Sequence, residues 1–341
     1  MYFLATILFV GFYFCETPAN CDKKQIVGNW KFQIEAPSPD AEINCMSHGI
    51  IAPNSTIHIS LEEPNIAKAD NGVIGTWTMI EVEGFSIYLG DQHYFALFQY
   101  VETEDESGQT IYINYCNQSR GGWSNKDVIK PQNYSCFVAT KDSSSQKHSH
   151  QSTLLSQVVR IRQQDSDGVR QQSKDYEKIV TPVQPVPSDP RHIAQFPSSL
   201  DWSNYSNFDY VEPVSNQGEC GSCYAFATLG MMEARYSLAL NKTVDVSLSV
   251  QDIVSCSYYT QGCFGGHGST ASQWMRDHGI VSEKCFPYQQ IEQFDPEVKC
   301  STKLCSEAGI DKDRHTFYAQ NIRYVGGFYG NCSEEAMIRE L

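Results

Sequence analysis

The sequence predicts an α+β protein in which an N-terminal antiparallel β-barrel precedes a helix-rich C-terminal part. Three observations favour this division. Short β-branched or alternating segments, separated by turn signals, recur over residues 16–138, as in barrels and sandwiches. A polar, proline-rich stretch over residues 139–195 is typical of a propeptide or linker. From residue 196 to residue 341, eight of the 13 cysteines cluster and apolar residues recur at helical spacing.

The composition excludes several classes of protein. The chain has 341 residues, of which 41% are hydrophobic and 19% are charged, so a largely disordered chain is excluded. Its formal net charge of -15 opposes binding to a phosphate backbone, and we expect no nucleic-acid partner. The sequence contains no run of about 18 apolar residues. We therefore expect no membrane-spanning helix and no membrane partner.

The first 15 residues, MYFLATILFVGFYFC, predict a secretory signal peptide, because they are apolar, uncharged and too short to cross a bilayer. A buried N-terminal strand is the alternative. Cleavage after Cys15 would leave 12 cysteines, an even number, and would make Glu16 the new N-terminus. Six glycosylation sequons follow, at Asn54, Asn117, Asn133, Asn204, Asn241 and Asn331. These features together predict a disulfide-bonded glycoprotein of the secretory pathway.

Six strands are predicted in the first domain, over residues 26–34, 56–61, 73–82, 85–89, 94–101 and 110–115. The four cysteines of this domain allow three pairings. In the second domain, helices are predicted over residues 223–240 and 270–277.

The candidate catalytic residues lie in one segment, residues 216–226 (NQGECGSCYAF). Cys223 opens the predicted helix, where unpaired N–H groups and the helix dipole favour a thiolate, the form of cysteine that attacks. Gln217 can donate a hydrogen bond to a developing oxyanion. Two alternatives for Cys220-x-x-Cys223 are a redox pair and half of a zinc site. The first needs a βαβ unit and the second needs another such pair, so we expect neither, and no metal.

The string CGSCY matches the signature of papain-type proteases, and further segments resemble the papain family in order and spacing: VSC over 254–256, GCFGG over 262–266 and CFPY over 285–288. The resemblance implies the helical lobe of a papain-like fold and a thiol protease acting on peptide or protein substrates through an acyl-enzyme. It makes Cys223 the nucleophile and Gln217 the oxyanion donor. It also places Gly265, Gly266 and His267 in the substrate-binding cleft.

A closer resemblance, to the dipeptidyl-peptidase branch of this family, rests on residues 16–21 (ETPANC), 28–30 (GNW) and 324–330 (YVGGFYG). It identifies the barrel as an exclusion domain that blocks the cleft beyond two substrate residues. It implies that Glu16 binds the substrate ammonium group and that Tyr324 contributes to a chloride site, where Ser269 replaces a tyrosine. It further implies a lysosomal or secreted zymogen and a homotetramer.

The same resemblance implies five disulfide bonds and leaves Cys223 and Cys332 unpaired. The implied bonds are Cys21–Cys116, Cys45–Cys136, Cys220–Cys263, Cys256–Cys300 and Cys285–Cys305.

The sequence departs from the family in its proton acceptor. Papain-type catalysis needs a histidine, oriented by an asparagine, roughly 130–150 residues beyond the cysteine. The printed sequence ends at Leu341, and none of its nine histidines has the family's local context. We therefore expect that the second, β-rich lobe is truncated and that this chain turns over little or no peptide.

Three other functions compete with the exopeptidase. One is an ordinary papain-like endopeptidase with an unrelated N-terminal domain. Another is a ligand-binding barrel, because Gly28-Asn29-Trp30 resembles the Gly-x-Trp of lipocalins. The third is a catalytically inactive decoy or assembly partner.

Overall fold

The computed structural model covers most of the two predicted domains. The described residues are 19–39, 43–47, 53–104, 108, 110–131, 133–142, 199–206, 208–241, 246–290, 300, 305 and 316–341. The predicted signal peptide and most of the predicted linker lie outside these residues.

The first domain is an antiparallel β-barrel that follows a one-turn helix, α1 (Lys23–Ile26). Its described strands are β1 (Gly28–Ile34), β2 (Ser55–Glu62), β3 (Ile66–Ala69), β4 (Ile74–Ile80), β5 (Gly84–Leu89), β6 (Gln92–Glu104), β7 (Thr110–Ser119), β8 (Gly122–Lys126) and β9 (Tyr134–Lys141). Strands β1 to β6 pair in chain order, after which β8 and β9 close the ring onto β1. Strand β7 pairs with the C-terminal half of β6 and meets β9 at one residue pair, outside this ring.

Aromatic side chains fill the described interior of the barrel. Trp30, Phe32, Phe85, Phe98 and Phe137 are completely buried. The ring centroids of Trp30 and Phe85 lie 5.5 Å apart, and those of Phe32 and Phe137 lie 5.2 Å apart. The first pair packs edge to face and the second is tilted, and contacts between aromatic rings at such separations are favourable. Trp30 is therefore a core residue here, and the barrel interior is packed where a lipocalin would hold its ligand.

The structure contains the six predicted strands and three that the sequence analysis does not predict. Strand β3 has four residues, too few for a clear alternating pattern. Strand β8, GWSNK, has one large apolar residue, yet its first four residues are buried. It lies between the barrel interior and the second domain, so both of its faces are covered. The first predicted strand begins at Gly28 rather than residue 26, because the preceding turn is helical.

The second domain is built from α2 (Cys223–Ala239), α3 (Val250–Cys256), α4 (Gly268–Asp277) and α5 (Glu334–Glu340), with two short paired strands, β10 (Ile280–Val281) and β11 (Thr316–Phe317). Helix α3 is buried at every residue, so it has no amphipathic period from which to predict it. Ser249 caps it by accepting a hydrogen bond from the Asp252 N–H at 3.0 Å. Among the described helices, none combines the length and the apolar character needed to span a bilayer.

Five disulfide bonds link the described cysteines in the pairs that the resemblance implied. They are Cys21–Cys116 and Cys45–Cys136 in the barrel, and Cys220–Cys263, Cys256–Cys300 and Cys285–Cys305 in the second domain. Cys332 is exposed and free.

The barrel and the second domain share one apolar core. Phe95 and Trp123 of the barrel contact Tyr259 of the second domain, with ring centroids 4.7 Å and 4.8 Å apart. Ile80 and Leu97, on the outer surface of the barrel, belong to the same buried cluster. The two domains are therefore packed against each other as a protein interior is packed.

At the C-terminal end of α4, charged side chains join this helix to the barrel. Arg276 is 4% exposed and pairs with Asp127 of the barrel and with Asp277 beside it. Asp277 is also buried and accepts a hydrogen bond from the Asn125 side chain of β8 at 2.9 Å. A buried charge costs several kcal/mol unless it is paired, so this network holds only while the two domains stay together.

Replacing Arg276 with alanine should destabilise the junction strongly, because it leaves the Asp277 carboxylate buried without its cation. We expect the free energy of unfolding to fall by about 3–5 kcal/mol, measured by urea denaturation followed by tryptophan fluorescence. The matched control is Lys126→Ala, which removes an exposed ion pair with Asp91 and should cost below about 1 kcal/mol. Equal losses of stability in the two variants would contradict a stabilising role for the buried Arg276–Asp277 pair at the junction.

Candidate active site

Cys223 is the first residue of α2 and follows the buried N-cap residue Ser222. The Ser222 carbonyl accepts hydrogen bonds from the N–H groups of Ala225 and Phe226, at 2.9 Å and 3.1 Å. The first N–H groups of a helix have no partner within the helix, and the helix dipole favours negative charge beside them. The sulfur of Cys223 therefore occupies a position where a thiolate is stabilised once it forms.

The loop before α2 is fixed close to the start of that helix. The Gln217 side-chain amide donates a hydrogen bond to the Cys220 carbonyl at 2.9 Å. The Tyr288 hydroxyl donates to the Gln217 carbonyl at 2.8 Å and lies 2.7 Å from the Ser222 hydroxyl. A glutamine amide carries two protons, so Gln217 has a second one for an oxyanion. These contacts hold Gln217 against the loop that precedes α2.

The loop can turn here because residue 218 is glycine. Gly218 has a φ of 64°, in the left-handed region, and a Cβ at this position would lie 2.2 Å from the Gln290 side-chain oxygen. Gln290 uses that oxygen to accept a hydrogen bond from the Glu219 N–H at 3.1 Å.

The expectation that Cys223 is a free thiol is wrong for this structure, in which Cys223 is disulfide-bonded. Its side chain is partly exposed, and the full sequence has an odd number of cysteines. Because the Cys223 sulfur is accessible, it can form a disulfide with a cysteine that has no other partner. A disulfide sulfur is not a nucleophile, so catalysis at this position requires the reduced form.

Cys223 lines a cavity of about 240 Å³ at the junction of the two domains. The second domain contributes Gly266 and His267 to its wall, and the barrel contributes Glu81. Gly266 must be small, because a Cβ there would lie 2.9 Å from the ring of Tyr224. The structure thus brings Cys223 together with two of the three residues that the resemblance places in the cleft. The third, Gly265, precedes Gly266 with a φ of 125°.

His267 is buried between two carboxylates of the β4–β5 turn. Its Nδ1 lies 3.3 Å from a Glu81 oxygen, and its Nε2 lies 2.8 Å from a Glu83 oxygen. Burial alone would lower the pKa of His267, but hydrogen bonds to Glu81 and Glu83, together with their charges, outweigh it and raise the pKa to about 9. The hydrogen bond from His267 in turn lowers the pKa of Glu81. His267 is therefore an imidazolium at neutral pH.

Glu81 lines the cavity with Cys223 and Glu83 contacts His267, and no pattern in the sequence predicts either. They lie in a short turn between two strands, far from Cys223 along the chain, and no motif joins them to it. The sequence does show two glutamates, one on either side of the apolar residue Val82. Surface turns show the same pattern, so it does not indicate a site.

The small cavity opens onto a larger one of about 750 Å³, since both are lined by Ala227, Thr228 and Gly268. The larger cavity lies between the barrel and the second domain, and Trp77 and Met231 contribute apolar surface to it. A space of this size suits a bulky apolar group.

Tyr324 and Ser269 line the larger cavity, where the resemblance places chloride. The residues present do not fit that anion. The Tyr324 hydroxyl accepts a hydrogen bond from the Glu81 N–H at 3.4 Å, and the charge of Glu81 helps to raise the Tyr324 pKa, after the larger effect of burial. The neighbouring cation, Arg323, pairs with Glu340 at 2.6 Å. A carboxylate beside the hydroxyl repels chloride.

The other described histidines do not line the cavity that holds Cys223. His58 lies on β2, His93 lies in the domain junction and His278 follows α4. His267 lines the cavity but already carries its proton at neutral pH. Among the described residues, no imidazole is therefore placed to accept a proton from Cys223. Glu16, the expected ammonium anchor, lies outside the described residues.

The two histidines at the ends of α4 should have opposite protonation states at pH 7. We expect imidazolium shifts for His267 up to about pH 9, and a neutral ring for His278, whose pKa burial lowers to about 3. NMR of histidine-labelled protein between pH 5 and 9 tests both.

The raised pKa of His267 has a consequence for stability. Because the folded pKa lies above the ordinary value of 6.5, the stabilisation is complete below about pH 6.5 and is lost as the pH rises through about 9. Urea midpoints measured across this range should fall in the wild type and change less in His267→Gln. A pKa of His267 near 6.5 in the NMR titration would contradict its pairing with Glu81 and Glu83.

Comparisons with known proteins match both the barrel and the second domain. The profile of the papain family cysteine protease matches residues 196–337, and that of the cathepsin C exclusion domain matches residues 16–141. Cathepsin C of Schistosoma mansoni is 25% identical over 360 residues, which cover 96% of this chain and 74% of the relative.

Other relatives match the second domain over shorter lengths. Chymopapain of Carica papaya is 37% identical over 102 residues, covering 29% of this chain and 27% of chymopapain. The solved structure of a digestive procathepsin L2 proteinase from the Tenebrio molitor larval midgut is 32% identical, covers 32% of this chain and 33% of that one, and has a TM-score of 0.29. With a matched exclusion domain before it and a cysteine at the start of α2, the second domain belongs to the papain family of cysteine peptidases.

Proposed function

We propose that this chain acts in the removal of dipeptides from peptide N-termini, with reduced Cys223 as the nucleophile. The observation that carries the proposal is that one small cavity is lined both by Cys223 and by the barrel turn that holds Glu81. A peptide entering this cavity meets the barrel after a short distance. The similarity to cathepsin C of Schistosoma mansoni over 96% of the chain supports the same assignment.

The chemistry follows from the position of Cys223. The thiolate attacks the carbonyl carbon of the second peptide bond, and the oxyanion accepts hydrogen bonds from Gln217 and from the N–H at the start of α2. The carbon–nitrogen bond then breaks, the amine leaves with a proton, and water hydrolyses the thioester to release the dipeptide. The proton that passes from the thiol to the amine needs an acceptor, for which the printed sequence has no histidine in the family's context.

The compartment that suits this reaction is the secretory pathway, including the lysosome or the cell exterior. Five disulfide bonds among the described residues need an oxidising compartment to form. The six sequon asparagines are all exposed, as glycan attachment requires.

A peptidyl epoxide should alkylate Cys223 selectively after mild reduction, because the helix N-terminus favours its thiolate. Mass spectrometry of the labelled peptides checks this, and Cys223→Ser should lose at least about 90% of the label. The exposed Cys332 provides the control, since Cys332→Ser should leave the labelling of Cys223 unchanged. Equal labelling of both cysteines would remove the case for a nucleophile at position 223.

Turnover of a fluorogenic dipeptidyl amide by this chain should be at least about 100-fold below that of an intact papain-family dipeptidyl peptidase, since general-base catalysis contributes about 10²–10⁴ in rate. Any residual activity should disappear when the substrate's amino group is acetylated. Full activity would contradict the lack of a suitably placed imidazole among the described residues, and cleavage of the acetylated substrate would favour an endopeptidase.

A further inference from the structure

Gln217 lies in a loop that has little support of its own. Residues 213–216 and 218–219, on either side of it, are exposed and belong to neither a helix nor a strand. The Gln217 side-chain amide donates to the Cys220 carbonyl at 2.9 Å, so one of its two protons is used within the loop. The direction of the second proton therefore depends on what holds the Gln217 backbone.

The Tyr288 hydroxyl joins the Gln217 backbone to the start of α2. It donates to the Gln217 carbonyl at 2.8 Å and lies 2.7 Å from the hydroxyl of Ser222, the buried N-cap residue before Cys223. Since a carbonyl only accepts and a tyrosine hydroxyl has one proton, the Tyr288 oxygen accepts the proton of Ser222. Burial raises the pKa of Tyr288, so its hydroxyl keeps that proton at neutral pH. One oxygen atom thus connects the loop that carries Gln217 with the helix that begins at Cys223.

Tyr288 is itself held from more than one side. Its N–H donates to the Glu283 side chain at 2.7 Å, and the N–H of the next residue, Gln289, donates to the Gln251 side chain of α3 at 2.7 Å. The Tyr288 ring packs edge to face on Phe226 of α2, with ring centroids 4.9 Å apart. Because these contacts fix the ring, its hydroxyl can fix the loop.

We propose that Tyr288 is a positioning residue that aligns Gln217 with the start of α2, so that both donate to one oxyanion. This inference rests on the proposed function and makes its oxyanion site more specific. It requires the Tyr288 hydroxyl to act through Gln217, which distinguishes it from a residue that only stabilises the fold. Alkylation of Cys223 by iodoacetamide forms no oxyanion and should not depend on Tyr288.

The probe is Ala-Phe nitrile, added to the mildly reduced full-length chain. The Cys223 thiol adds across the nitrile: its sulfur bonds to the carbon, one carbon–nitrogen π bond opens, and the thiol proton passes to the nitrogen. The nitrogen of this thioimidate then takes the position of the oxyanion. Its dissociation constant is measured from the protection of Cys223 against iodoacetamide, read by mass spectrometry. The exposed Cys332 provides a second thiol that the nitrile should not protect.

Tyr288→Phe should weaken the adduct about tenfold and change the rate of iodoacetamide alkylation by less than about twofold, because only the adduct uses the oxyanion donors. Tyr236→Phe is the matched control. It removes a buried hydroxyl that donates to the Tyr318 carbonyl at 2.7 Å, away from this loop, and should leave the adduct unchanged. In a Gln217→Ala background the effect of Tyr288→Phe should disappear, because residues that act as a unit are not additive.

Equal adduct affinities in the wild type and in Tyr288→Phe would overturn the inference. A loss from Tyr288→Phe that persists at full size in the Gln217→Ala background would overturn it as well, since Tyr288 would not then act through Gln217. If the nitrile protects Cys223 of the wild type no better than Cys332, the proposed function itself fails, so the two failures can be told apart.

Discussion

The structure depends on the attachment of α4 to the barrel by charged groups at both of its ends. His267 precedes the helix and lies between Glu81 and Glu83, and Arg276 near its last residue pairs with Asp127. The helix has ten residues, a length of about 15 Å, so these two contacts fix its position and direction against the barrel. Because these ion pairs cross the junction, separating the domains would break them and force each charged group to be solvated separately.

This attachment gives the cleft its shape. Helix α4 packs against α2, whose first residue is Cys223, so the barrel is positioned relative to the sulfur through one intervening helix. The shared apolar core around Tyr259 adds to the same interface. The barrel is thus fixed as one wall of the cavity that Cys223 lines.

The two histidines that flank α4 illustrate how position determines charge. His267 is buried and His278 is partly buried, and burial by itself lowers the pKa of a histidine. Among the described residues, His278 has no carboxylate partner to oppose this effect and stays neutral, whereas His267 has two and stays protonated. The protonated His267 contributes to the junction as a cation, and for the same reason it cannot serve Cys223 as a base.

The sequence by itself determined the parts of this protein that local chemistry encodes. Alternation and turn residues predicted six strands, the CGSCY string indicated the papain family, and the closer family resemblance implied the disulfide pairs. Only the tertiary structure brought Glu81 and Glu83 to His267, buried β8 on both faces and joined Arg276 to Asp127. Such contacts join residues far apart in the chain, where no period or motif relates one partner to the other. Their strength comes from the burial that folding itself creates.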